Sequence, residues 1–129
     1  AEFTQGYTPG MTGMDRWIDW EKEEFIGQAA AIKERDGNGP AQKLVMLEID
    51  ADDADASGYE PVWNNDSLVG FVTSGGYGHT LKKSLAMALV NNDLANENQK
   101  LKVHVVGVEK DATVIQASPY DPEGKVMRV

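Results

Sequence analysis

After Pro40 the chain falls into short apolar runs separated by turn residues, and no helical period links them. Residues 43–50 (Lys-Leu-Val-Met-Leu-Glu-Ile-Asp) and 60–63 predict two strands, and Asn64-Asn65-Asp66-Ser67 predicts a tight turn into a third at 68–73. Residues 84–90, 101–106 and 112–117 predict three more, separated by an Asn-rich loop at 91–99 and a turn at Gly107. One helical turn at 92–96 is the only interruption. Six short strands at fairly even spacing imply a small antiparallel barrel or sandwich, so the fold class is mainly β.

The first 42 residues read differently. Gly6-Tyr7-Thr8-Pro9-Gly10-Met11-Thr12-Gly13 predicts a loop, Asp15-Arg16-Trp17-Ile18-Asp19-Trp20 a short strand, and residues 25–34, Ala-rich with Phe25, Ala29 and Ile32 on one stripe, a helix. Asp36-Gly37-Asn38-Gly39-Pro40 ends that helix and marks the main boundary. The chain begins with Ala1 rather than Met, which fits a processed terminus or a piece of something longer.

Charge and composition narrow the partners. The 129 residues carry a net charge of −9, and the clearest basic cluster is Lys82-Lys83, so neither nucleic acid nor an anionic membrane is an expected partner. No apolar run approaches the roughly 18 residues of a membrane span. With no cysteine, disulfides, thiolate metal sites and a cysteine nucleophile are excluded.

The candidate chemistry is thin. Glu48-Ile49-Asp50-Ala51-Asp52-Asp53-Ala54-Asp55 invites calcium, but a loop begun at Asp53 has Asn64 where a bidentate Glu is needed, so a solvated connection is the ordinary reading. Thr73-Ser74-Gly75-Gly76-Tyr77-Gly78-His79-Thr80 fits no nucleophile elbow, phosphate loop or dinucleotide turn; its glycines predict a turn or a close backbone approach. His79 and His104 have no partner at metal-ligand spacing, and alternation turns His104 away from the face of Val103 and Val105. Trp17, Trp20 and Trp63 read as core or interface residues. No catalytic residue and no metal ligand is assigned.

Six segments in order carry a resemblance: Tyr7-Thr8-Pro9; Gly13-Met14-Asp15-Arg16; Phe25-Ile26-Gly27; Val69-Gly70-Phe71-Val72-Thr73-Ser74-Gly75-Gly76-Tyr77-Gly78; Lys83-Ser84-Leu85-Ala86; and Tyr120-Asp121-Pro122-Glu123-Gly124. Together they resemble the C-terminal part of the glycine cleavage T-protein (aminomethyltransferase) family. Ser57-Gly58-Tyr59-Glu60-Pro61 and the Asp-Pro-Glu-Gly end are most similar to the T-protein-like module of bacterial dimethylglycine and sarcosine dehydrogenases.

The resemblance implies a six-stranded antiparallel Greek-key barrel over residues 43–129, preceded at 1–42 by the strand-helix tail of a tetrahydrofolate-binding α+β domain. It implies tetrahydrofolate as cofactor of the complete enzyme, with the catalytic aspartate and the pterin-holding groups encoded before Ala1. FAD enters only with an upstream dehydrogenase domain. The implied partner is the preceding folate-binding domain or a companion subunit, and the compartment a bacterial cytoplasm or a mitochondrial matrix. Arg16 and Trp17 are the candidate folate contacts, although the family commonly has an aromatic residue at the position of Arg16. Trp17, Trp20 and Phe25 are expected on an apolar face toward that domain, and this chain alone is expected to be inactive. A free-standing, non-catalytic barrel acting as an interaction module is the alternative.

Overall fold

A computed structural model describes residues 2–128. Six strands form the barrel: β1 (Gln42–Ile49), β2 (Pro61–Asn64), β3 (Ser67–Gly78), β4 (Lys83–Asn91), β5 (Lys100–Val105) and β6 (Val108–Ile115). The sheet closes in the order β1-β4-β3-β2-β5-β6, with β6 returning to β1 through Met46↔Ile115 to Ile49↔Ala112. Every pairing is antiparallel. Strands β2, β3 and β4 are consecutive neighbours and β5 returns beside β2, which is the Greek-key connection.

Strand alternation builds the core. On β1, Val45, Leu47 and Ile49 point inward while Leu44, Met46 and Glu48 lie on the outer face, half-buried. Val62, Val72, Val90, Val103, Val105 and Val114 meet them from the other strands, and β4 contributes the small Ala86 and Ala88. Burying one side chain of the size of Leu47 stabilises the barrel by about 2–3 kcal/mol. The connections cork the two ends. At the end where Ile49 pairs with Ser84, the β1–β2 connection turns Ala51, Ala54 and Ala56 onto the core and its Asp side chains outward. At the other end Leu94 and Ala95 close the barrel, next to the 3-10 turn Asn92–Leu94.

All three hairpins use left-handed residues, and Lys82 (φ 56°) closes the one from β3 into β4. Asn65 (φ 52°) turns β2 into β3, and Val106 (φ 50°) with Gly107 (φ 80°) turns β5 into β6. Val106 is β-branched and resists that conformation. Its N–H is held by Glu60 Oε1 at 2.6 Å, while Glu60 Oε2 accepts the Ser57 N–H at 2.8 Å.

The structure corrects four local expectations. Residues 74–78 continue β3 rather than forming a loop, and the turn begins at His79 and Thr80. Close backbone approach explains a glycine there: a Cβ on Gly75 would lie 2.3 Å from the Ala56 carbonyl oxygen. The predicted strand at 15–20 is instead a 3-10 turn, Asp15–Trp17, held by Trp17 N–H to Met14 O (3.0 Å) and Ile18 N–H to Asp15 O (3.1 Å). Its aromatic, β-branched composition suits a sheet, but the closed barrel offers it no edge. The opening loop contains one helical turn, α1 (Pro9–Thr12), capped by Thr8 with Pro at its first position. The next helix, α2 (Gln28–Asp36), starts three residues later than predicted because Gly27 is left-handed at φ 85°.

Candidate functional site

Beside the barrel, α1, the 3-10 turn, α2 and the start of β1 enclose an apolar cavity of about 520 Å³. Ile18, Trp20, Phe25, Ile26, Ala30, Ala31 and Pro40 are the apolar side chains chiefly lining it. Local chemistry assembles it. The Thr8 hydroxyl accepts the Met11 N–H at 3.2 Å and donates to the Glu34 carboxylate at 2.9 Å, which ties α1 to α2. Gly10 makes room for that contact, since a Cβ there would sit 2.4 Å from Glu34 Oε2. The Arg35 guanidinium stacks 4.4 Å from the centre of the Trp20 ring and bonds Asp36 at 2.7 Å. That bond holds the Asp36 carboxyl below the usual carboxylate range.

Arg16 and Trp17 lie side by side between two lining residues, Asp15 and Ile18, but neither lines the cavity. The Arg16 guanidinium is 5.4 Å from the Trp17 ring centre, and Trp17 is 73% exposed. Trp20 and Phe25 are half-buried in the cavity wall, so of the expected apolar face Trp17 alone stands in solvent, joined by Phe3, Met14 and Ile26. None of the three tryptophans belongs to the barrel core. Thr8, Glu34 and Arg35 escaped the sequence reading. A Thr-Pro helix start was readable at Thr8, whereas its pairing with a residue 26 positions away was not.

A pterin needs buried polar partners for its amino-pyrimidine edge, because desolvated donors and acceptors must be paired. In this cavity both Glu34 oxygens face Thr8, and Arg35 is engaged by Asp36 and Trp20. These residues do not by themselves fit a folate.

A larger polar hollow, about 1060 Å³, lies at the other end of the barrel beneath the acidic connection. Its charged groups are largely engaged. Lys83 bonds Glu48 at 2.6 Å, and Lys110 bonds Asp53 at 2.9 Å, lowering the Asp53 carboxyl. The inward-facing Ser84, 1% exposed, donates to Asp55 Oδ1 at 2.6 Å. The acidic run therefore satisfies a buried hydroxyl as well as meeting solvent. Among the described residues no group of three or more His, Asp or Glu side chains is placed to hold a metal ion. His104 is on the outer face, stacked 5.5 Å from Trp63, and His79 meets Tyr77 edge-on at 5.1 Å.

Comparison with known proteins agrees with the fold. The chain is 34% identical over 116 residues to mitochondrial dimethylglycine dehydrogenase of Rattus norvegicus, covering 90% of this chain and 14% of that protein. It is 32% identical over 123 residues to the aminomethyltransferase of Halalkalibacterium halodurans, covering 95% of this chain and 33% of that protein. It thus spans a third or less of the length of these relatives. The crystal structure of glycine cleavage system aminomethyltransferase T from Bartonella henselae superposes with a TM-score of 0.76 at 23% identity, over 84% of this chain and 31% of that one. Residues 42–121 match the family of the glycine cleavage T-protein C-terminal barrel domain. With a closed six-stranded barrel over the same residues, the chain belongs to the glycine cleavage T-protein C-terminal barrel family.

Proposed function

We propose that this chain is the C-terminal barrel portion of a tetrahydrofolate-dependent one-carbon transferase, of the aminomethyltransferase or dimethylglycine/sarcosine dehydrogenase kind, and that it closes a folate site formed mainly by a preceding domain. The observation that carries this reading is the contrast between a barrel complete in itself and a tail, residues 3–41, in which no residue is buried. Such a tail is what remains of a domain whose other half lies elsewhere, and the short span of the relatives that this chain covers supports the same view.

A one-carbon unit carried on nitrogen is open to hydrolysis, so its transfer needs a chamber from which water is kept out. In this reading the barrel is a wall of that chamber. Residues 1–42 dock on the preceding domain through Phe3, Met14, Trp17 and Ile26, and Arg16 and Trp17 reach the rim of the folate site. FAD would belong to a dehydrogenase domain further upstream, if the gene encodes one.

Two measurements on one sample set test the proposal. The product of the complete gene, assayed with methylated amines, is expected to form methylene-tetrahydrofolate; calorimetric titration of tetrahydrofolate into the 129-residue chain is expected to give weak or no binding. Micromolar affinity, or turnover by the short chain alone, overturns it. A complete product with neither a folate domain nor a companion subunit would leave the free-standing interaction module.

A further inference from the structure

The seams of the barrel are unequal. Strands β2 and β5 meet only through Val62↔Val103 and Trp63↔Lys102, whereas every other seam has four or more residue pairs. The residues just ahead of β2 show why. Tyr59, left-handed at φ 71°, gives its N–H to the Val72 carbonyl at 2.7 Å, and the Glu60 carbonyl accepts the Val72 N–H at 2.8 Å. Two residues thus oppose one, a bulge that turns the Glu60 carbonyl toward β3. Alternation along the strand then turns Pro61 toward β5, opposite His104 in the register of Val62↔Val103, and a proline has no N–H to give. The ladder lacks a donor there. On the outer face Trp63 stacks on His104 across the same seam at 5.5 Å, but its indole nitrogen is buried with no acceptor among the described residues, which weakens the seam further.

Glu60 reaches past this gap. Its two carboxylate oxygens accept backbone N–H groups from distant parts of the chain, Val106 beyond the end of β5 at 2.6 Å and Ser57 in the β1–β2 connection at 2.8 Å. Ser57 follows Ala56, which is 2% exposed and corks the barrel end. Val106 begins a two-residue turn with positive φ at both positions, a turn that favours Asn-Gly. Its side chain is 74% exposed, so packing does little to hold it in that conformation.

We propose that Glu60 is a latch: its carboxylate ties the β1–β2 connection to the β5–β6 hairpin across the β2–β5 seam and keeps the barrel closed where it would otherwise open first. It makes up for the ladder bond that Pro61 cannot form. A carboxylate suits the task because each oxygen serves one N–H group, whereas a carboxamide has a single oxygen and an NH2 that would meet a donor. The role belongs to the barrel itself and stands whether or not the folate reading holds.

The test is native-state hydrogen exchange, followed by NMR at single N–H groups, in the 129-residue chain and its Glu60→Ala, Glu60→Gln, Pro61→Ala and Glu60→Ala/Pro61→Ala variants. Glu60→Ala is expected to raise exchange about tenfold at Ser57, Val106 and the seam pair Trp63 and Lys102, with the β1–β4 and β3–β4 pairs unchanged. Glu60→Gln is expected to bare one of the two N–H groups, Ser57 or Val106, and keep the other. Pro61→Ala returns a donor to the ladder, so on that background loss of Glu60 is expected to raise exchange at Trp63 and Lys102 by less than about threefold. Unchanged exchange at Trp63 and Lys102 in Glu60→Ala, an equal rise throughout the barrel, or an undiminished effect on the Pro61→Ala background would overturn the proposal. Should Glu60→Ala fail to fold, the isosteric Glu60→Gln decides, and full protection of both Ser57 and Val106 in it would overturn the latch.

Discussion

The barrel and the tail are built on opposite terms. Residues 42–115 turn a continuous set of Val, Leu, Ile and Ala inward and pair every strand on both sides. Residues 3–41 have two short helices and a 3-10 turn, none with a buried residue, held by a few polar contacts such as Thr8 to Glu34 and by the stacking of Arg35 on Trp20. Apolar burial is the dominant folding drive, so the first region is self-sufficient and the second borrows its stability. Within one chain, a closed barrel can hold a core of its own while residues 3–41 ahead of it bury no side chain.

The comparison breaks first at the core. Leu47→Ala, at a site with no exposed surface, is expected to destabilise the barrel by about 3 kcal/mol in urea denaturation; a loss below about 1 kcal/mol would mean that the barrel is not the stable unit. Next comes Gly70→Ala. A Cβ there would stand 2.0 Å from the Leu89 carbonyl oxygen and 2.9 Å from the Val90 Cα, both backbone, so about 2–3 kcal/mol is expected, and a neutral result would refute the tight β3–β4 approach. Thr8→Ala removes a helix cap and should cost the tail about 1 kcal/mol. Its effect belongs in hydrogen exchange at residues 8–14, with the urea midpoint of the barrel unmoved; a shifted midpoint would show that the two regions unfold together. The smallest effect is Lys102→Gln, which breaks the surface pair with Glu109. It should change barrel stability by less than about 0.5 kcal/mol and vanish at high salt.

The same division governs what could be read in advance. Alternation of Val45, Leu47 and Ile49 with Leu44, Met46 and Glu48 is a local pattern, and most of the strands it predicts are present with ends shifted by a residue or two, but β6 starts four residues earlier than expected, at Val108, and β3 runs on to Gly78. Three glycines signal a turn at the end of β3, whereas Gly75 in fact answers to the Ala56 backbone, a long-range neighbour that spacing cannot reveal. Residues 15–20 have the composition of a strand, and only closure of the barrel removes the edge they would join. The Greek-key order came from family resemblance rather than periodicity. In the cavity, the turn-forming Gly27 and the Thr8-Pro9 start were readable signals, but the Thr8–Glu34 contact and the stacking of Arg35 on Trp20 depend on the tertiary fold.

Because β6 returns to β1, no strand among the described residues is left with a whole edge open onto which another polypeptide could be zipped. If preparations of this chain cloud on concentration, the sticking should arise from greasy side chains such as Trp17 and Ile26 meeting face to face. The deposit would then be amorphous, dissolve on dilution, and give none of the 4.7 Å fibre reflection of amyloid.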